Sequence, residues 1–245
     1  MTSRSRVVLV TGASRGIGAE VARQLAAPDT HVLVNYREKL RRARDVVDSI
    51  VAAGGSASVI GADLADEMST TAMVREIADA FGKVDALVLN ASGGLERGAD
   101  SGYAMRINRD AQVRLVRLIA PLMPSGARIV FVTSHQAHFH GLKPVPADYL
   151  PIAASKRAGE NALRALEPVL ELRGVALTVV SGDMIDGTII VRLLERRDPD
   201  AVADRRVHGD LPTVPQFAEA IVAAVDGHVG EGTVYVGGQD YFTSA

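Results

Sequence analysis

Cysteine is absent from all 245 residues. Its absence excludes a disulfide framework, a thiolate nucleophile and a thiolate-bound metal, and it fits a reducing compartment. A basic excess is missing too: 27 Lys and Arg stand against 29 Asp and Glu, a formal net charge of −2. No nucleic-acid or anionic-membrane partner is therefore expected. The one locally basic stretch, Lys39, Arg41, Arg42 and Arg44, reads as the solvated face of a helix. No apolar run approaches the ~18 residues that cross a bilayer. Residues 1–6 carry two arginines but no small-residue cleavage site, so no signal peptide is read and a cytoplasmic location is expected.

What the chain does have is a steady alternation. Short β-branched apolar runs fall at 7–10, 31–34, 57–60, 86–89, 128–132, 175–180 and 233–236. Their continuous hydrophobicity suits strands buried on both faces. Stretches of helical period at 17–26, 38–53, 68–81, 103–122, 151–172 and 214–225 separate them. Strands that alternate with helices pair in parallel through crossovers. The fold class predicted is α/β: a Rossmann-like, doubly wound parallel sheet of about seven strands with helices on both faces. No linker-like break in composition divides the chain, so residues 1–245 read as a single domain. Residues 188–213 interrupt the rhythm as a helical excursion before the last helix, a common place for a substrate lid.

The strongest local signal is Thr11-Gly12-Ala13-Ser14-Arg15-Gly16-Ile17-Gly18, directly after the first strand. Glycines there let the backbone turn sharply and approach a pyrophosphate, which the positive end of the following helix then faces. An ordered set of further landmarks follows. They are Asp63-Leu64 after the third strand, Asn90-Ala91-Ser92 after the fourth, Asn108 in the fourth helix, Ser134 ending the fifth strand, Ser155-Lys156 in the next helix, and Ser181-Gly182 after the sixth strand. Together they resemble the short-chain dehydrogenase/reductase family over nearly the whole chain.

The resemblance implies a nicotinamide dinucleotide held by Gly12, Ser14, Arg15, Gly16, Ile17 and Gly18. Asp63 and Leu64 would lie at the adenine, and Asn90, Ala91, Ser92, Lys156 and Gly182 nearer the nicotinamide. The second strand ends Asn35-Tyr36-Arg37 with no acid at the position that usually selects NAD. Arg15 and Arg37 can instead clamp a 2′-phosphate, so NADP(H) is the expected cofactor. Glu38 stands against that choice, because a carboxylate there suits a ribose hydroxyl.

Carbonyl reduction needs a hydride and a proton for the developing alkoxide. Family members use Ser, Tyr and Lys for this, with an Asn that anchors a proton relay. Ser134, Lys156 and Asn108 match, but the residue four before Lys156 is Ile152, which carries no proton. Tyr149, seven residues before Lys156, is the candidate replacement. Pro151 should start the helix and push Leu150 to an extended conformation, leaving Tyr149 in the preceding loop. His135, His138 and His140 offer a second acid; a metal at these histidines is not expected, because the loop shows no ligand spacing. Ser92 and Ser181 depart mildly from the family's Gly and Pro. Thr188 is a candidate partner for the carboxamide, and Asp183 could face the site or cap the next helix. Leu95, Tyr103, Met105, Phe139, Leu142, Met184, Ile189 and Leu193 are available to line a substrate pocket. The expected activity is NADPH-dependent interconversion of a small-molecule carbonyl and a secondary alcohol, in a homo-oligomer. The alternative is a nucleotide-binding or redox-sensing protein that has lost its acid.

Overall fold

The computed structural model describes residues 6–94, 100, 102–197, 199–207, 209–230 and 232–238. Seven strands form one sheet: β1 (Arg6–Val10), β2 (Thr30–Tyr36), β3 (Ser56–Gly61), β4 (Ala86–Leu89), β5 (Arg128–Ser134), β6 (Ala176–Gly182) and β7 (Gly232–Val236). Their spatial order is β3-β2-β1-β4-β5-β6-β7, parallel throughout. The order reverses between β1 and β4, which opens a crevice at their carboxyl ends where ligands of such sheets bind.

Alternate residues of each strand serve two different cores. Val7 and Leu9 of β1, Leu87 and Leu89 of β4, and Ile129 and Phe131 of β5 pack on one face. That face is closed by α3 (Glu67–Phe81), α5 (Ala111–Ile119) and Leu163 of α7 (Leu150–Arg164). Val8, Val10, Val88 and Val130 point the other way, against α1 (Gly16–Gln24), α2 (Leu40–Ala52) and α11 (Val214–Asp226). This double burial is why the strands read as unbroken apolar runs. Arg41, Arg42 and Arg44 are exposed on α2, opposite buried Ala43, Val46 and Ile50. Among the described residues no helix is long and apolar enough to cross a membrane.

The helices start and stop where local chemistry allows. Asp66 caps α3 by accepting from Ser69 N at 2.6 Å, and Thr213 with Gln216 forms a reciprocal capping box on α11. Four expectations need correction. The helix expected over 103–122 is a short α4 (Tyr103–Met105), a π-turn (Arg106–Asp110), α5 and a closing 3₁₀ turn. The one expected over 151–172 divides into α7 and α8 (Glu167–Glu171). Leu150 is not extended: it adopts φ −52°, ψ −47° and begins α7, straight after a 3₁₀ turn at Ala147–Tyr149. Burial of Tyr149 and Ile152 on either side overrides the usual bias of a residue before proline. The histidine stretch, read as an irregular loop, contains a helical turn α6 (His135–His138). The excursion comprises α9 (Ile189–Arg197) and α10 (Pro199–Val207).

Candidate active site

The glycine loop sits at the crevice and is braced from behind. Gly12 and Gly16 adopt φ +62° and +58°, which other residues rarely do. Gly18 is needed for space, since a Cβ there would stand 2.4 Å from Asn90 Nδ2. Asn90 Nδ2 donates to Thr11 O at 2.9 Å, and Thr11 Oγ1 accepts from the backbone N–H groups of Asn90 and Ala91. Asn35 Oδ1 accepts from Gly12 N at 3.2 Å, while its amide donates to Ile60 O. The side chains of Asn35 and Asn90 are thus spent on shaping the loop. Among the described residues no side chain caps α1, whose N-cap is Arg15, so its first-turn N–H groups remain for an anion.

The expected adenine and ribose residues lie on the β2–β3 side. Asp63 Oδ1 accepts from Ala65 N at 2.9 Å and Leu64 is buried. Tyr36 lies across Gly61, and Ser14 and Ile17 are half-buried in the loop. Arg15 is exposed. Arg37 donates through Nη1 to the Tyr103 hydroxyl at 2.5 Å and pairs through Nε with Glu38 at 3.1 Å. Tyr103, expected in the substrate pocket, instead turns its hydroxyl towards the β2 end. Leu95 and the side chain of Leu193 lie outside the described residues.

At the end of β5, Ser134 Oγ lies 3.2 Å from the Tyr149 hydroxyl. Tyr149 is buried, with Ala137, Ile152, Ala153 and Val145 around it. Burial raises its pKa, and the hydrogen bond to Ser134 opposes that shift. Lys156 follows two turns later on α7, half-buried. Burial alone pulls its ammonium down to about 8. Among the described residues no hydrogen-bonding or ionic partner offsets that cost. Ile152 packs against the loop after β4, where a Cβ on Gly94 would meet its Cδ1 at 2.6 Å.

Asn108 stands in the middle of the π-turn, a helical defect common at functional sites. Its side chain is saturated. Oδ1 accepts from Ser92 Oγ at 2.9 Å and Gly93 N at 3.3 Å, and Nδ2 donates to Gly93 O at 2.9 Å and Ser155 Oγ at 3.0 Å. Ser92, the apparent departure, is therefore part of this network. The Asn108 carbonyl faces α7, so close that a Cβ on Gly159 would sit 2.1 Å from it. Gly159 is three residues beyond Lys156, on the same helical face.

His135 and His138 are occupied elsewhere. His135 is buried, with Nδ1 2.8 Å from Ser181 Oγ and Nε2 3.1 Å from Gly237 O. A carbonyl only accepts, so the proton is on Nε2 and Ser181 donates to Nδ1. Burial lowers its pKa, which keeps it neutral. Ser181, read from sequence as a departure from the expected proline, is thus the partner of His135. His138 Nδ1 bonds fully buried Glu160 at 2.8 Å and its Nε2 lies 3.0 Å from the Tyr235 hydroxyl. Burial works to raise the Glu160 pKa, but His138 and Arg164 hold it down. Among the described residues no group of three or more side chains could hold a metal ion. Asp183 pairs with Arg205 of α10, joining that helix to the end of β6. Thr188 donates to Ile185 O at 2.8 Å and accepts from Val191 N, so its hydroxyl caps α9. Gly182 is fixed by space, since a Cβ would meet the Phe217 ring at 2.7 Å. A cavity of about 520 Å³ between α9 and α10, lined by Glu195, Val202 and Arg206 among others, contains none of the Ser134–Tyr149–Lys156 group.

A dinucleotide cradle at the β1–β4 crevice, with a serine–tyrosine pair at the end of β5, defines a nucleotide-dependent oxidoreductase architecture. The short chain dehydrogenase family model matches residues 6–198, and the chain belongs to that family. It is 29% identical over 96% of its length to 1-cyclohexenylcarbonyl-CoA reductase of Streptomyces collinus, covering 84% of that protein. It is 34% identical over 67% of its length to a probable tetrahydroxynaphthalene reductase of Zymoseptoria tritici, and that match covers 63% of the relative. Among solved structures, a short-chain dehydrogenase from Burkholderia cenocepacia in complex with NADP superposes with a TM-score of 0.79 at 28% identity, over 96% of this chain and 98% of that one.

Proposed function

We propose that the chain is an NADPH-dependent reductase of carbonyl compounds in which Tyr149 delivers the proton. The observation that carries this reading is the 3.2 Å contact between the Tyr149 hydroxyl and Ser134 Oγ. It sets a phenol beside the serine although Ile152 stands at the family's tyrosine position. Relatives named as reductases, and neighbours named as complexes with NADP or NADPH, support the cofactor and the reaction class.

The residues present fit the nucleotide. Gly12, Gly16 and Gly18 keep side chains out of the cradle, the uncapped start of α1 faces the pyrophosphate, and Arg15 and Arg37 take the 2′-phosphate. Asp63 and Leu64 take the adenine side. Ala91, Ser92 and Gly182 border the nicotinamide, with Asn35, Tyr36 and Asn90 shaping the pocket behind. When bound, NADPH supplies the hydride. Ser134 donates a hydrogen bond to the substrate oxygen and holds it beside the phenol. Tyr149 then passes its proton to that oxygen. Burial favours the neutral phenol, the form that donates, and a phenol is a far stronger acid than an alcohol, so proton transfer to the developing alkoxide is downhill. Lys156 would hold the nicotinamide ribose, whose hydroxyls would offer its ammonium the partners it does not find among the described residues. The Asn108 carbonyl anchors the path that returns a proton to the site.

Val169 and Leu172, at 58% and 89% exposure, lie in or beside α8, and this face is the proposed contact between copies in a homo-oligomer. Ile152 favours the second reading, a dinucleotide holder without chemistry. NADPH consumption by the wild-type protein against a panel of cyclic ketones and acyl thioesters separates the two. Turnover of any of them is expected. Tight NADPH binding without turnover across the panel would favour the holder.

A further inference from the structure

We propose that Tyr103 is a positioning residue for cofactor selection: its phenol oxygen sets the Arg37 guanidinium for the adenosine 2′-phosphate. The inference rests on the reading that Arg37 recognises that phosphate.

Arg37 follows β2 and Tyr103 opens α4, 66 positions later, yet Arg37 Nη1 donates to the Tyr103 hydroxyl at 2.5 Å. Glu38 accepts from Arg37 Nε at 3.1 Å. Two contacts on different nitrogens fix the plane of a side chain that is otherwise 42% exposed and costly to order. The two acceptors differ in one essential respect. A carboxylate orients a guanidinium but also repels an incoming phosphate dianion. A neutral phenol orients it without neutralising its charge or adding a repulsive one. With Glu38 alone beside Arg37, the local field would favour a ribose hydroxyl over a phosphate. Tyr103 supplies orientation without that penalty.

Tyr103 is itself held firmly. The Arg106 guanidinium lies 5.8 Å above its ring centroid, and Arg106 forms a two-pronged pair with Asp100 at 3.0 and 2.5 Å. Asp100 also accepts from Gly102 N at 2.9 Å, which fixes the start of α4. The platform is preorganised: Asp100 holds the Arg106 guanidinium over the ring, and the ring in turn presents its hydroxyl to Arg37.

The test is direct binding, with no substrate present. NADPH and NADH are titrated into the intact protein and into Tyr103→Phe, following the change in nicotinamide fluorescence. The ring and its packing remain in Tyr103→Phe, so only the hydroxyl is removed. The expected result is about a tenfold rise in the NADPH Kd, the scale of one hydrogen bond to a charged group, with NADH changed less than twofold. Equal weakening of both nucleotides, or no change in either, overturns the proposal. Arg37→Ala separates this from the underlying reading. If Arg37→Ala keeps the preference for NADPH, the phosphate reading itself fails. If Arg37→Ala abolishes the preference while Tyr103→Phe leaves it intact, only the role of Tyr103 fails. In the Arg37→Ala background Tyr103→Phe should cost less than twofold, and a full tenfold loss there would contradict action through Arg37.

Discussion

Replacing Lys156 by Met should make the nucleotide-free protein more stable and the nucleotide-bound protein worse. Burial holds the Lys156 ammonium at about 8 against an ordinary value of 10.5, with no other contribution offsetting it. A difference of about 2.5 units at ~1.36 kcal/mol each corresponds to about 3 kcal/mol. That is an upper figure, because the side chain is half-buried and solvent screens part of the charge. The sign follows from proton binding. Between pH 8 and 10.5 the unfolded chain binds more protons at this site than the folded one, so stability rises with pH across that window. Below it the whole cost is present. Lys156→Met removes the cost, so the variant should exceed the wild type by up to about 3 kcal/mol at pH 7, or several degrees in Tm for a chain of this size. Urea unfolding of both proteins at pH 7 and at pH 10 measures the difference, and other titrating groups cancel between them. The advantage of the variant should shrink by most of its value at pH 10. A difference that does not change with pH would refute the reasoning. The same substitution should weaken NADPH binding, since an ammonium kept at a cost with no partner among the described residues is one reserved for a ligand.

Two further outcomes follow from close approaches. Gly159→Ala places a Cβ 2.1 Å from the Asn108 carbonyl, so α7 must move from the π-turn. About 1–3 kcal/mol of lost stability in urea is expected, with a fall in turnover that exceeds any loss of NADPH affinity. Ile152→Tyr, which puts a phenol four residues before Lys156, meets the tight contact with Gly94 and should cost about 1–3 kcal/mol. It should not restore turnover to Tyr149→Phe; recovery in that double variant would show that position 152 still faces the reacting carbonyl.

The sheet was legible because both faces of each strand are covered, so Val7 to Val10 carry one signal although alternate residues enter different cores. The glycine loop was legible because its requirements are local: positive φ at Gly12 and Gly16, and space at Gly18. What was not legible depends on partners distant in sequence. The break in the helix over 103–122 comes with Asn108, whose amide reaches Gly93 and Ser155. Ser181 reads in sequence only as a mild departure from proline, because its partner, His135, lies 46 positions away. The hydroxyl of Tyr103 turned from the expected pocket because Arg37 offered it a donor. Leu150 took a helical conformation against local preference because its neighbour Tyr149 is buried beside Ser134.

The most direct test of the account is the rate of hydride transfer in a single turnover, with Tyr149→Phe loaded with NADPH and mixed with a ketone the wild type reduces. Loss of the hydroxyl should slow that step at least a hundredfold while the Kd for NADPH stays within twofold, the range expected for a general acid. A transfer rate equal to that of the wild type would show that the proton comes from another group.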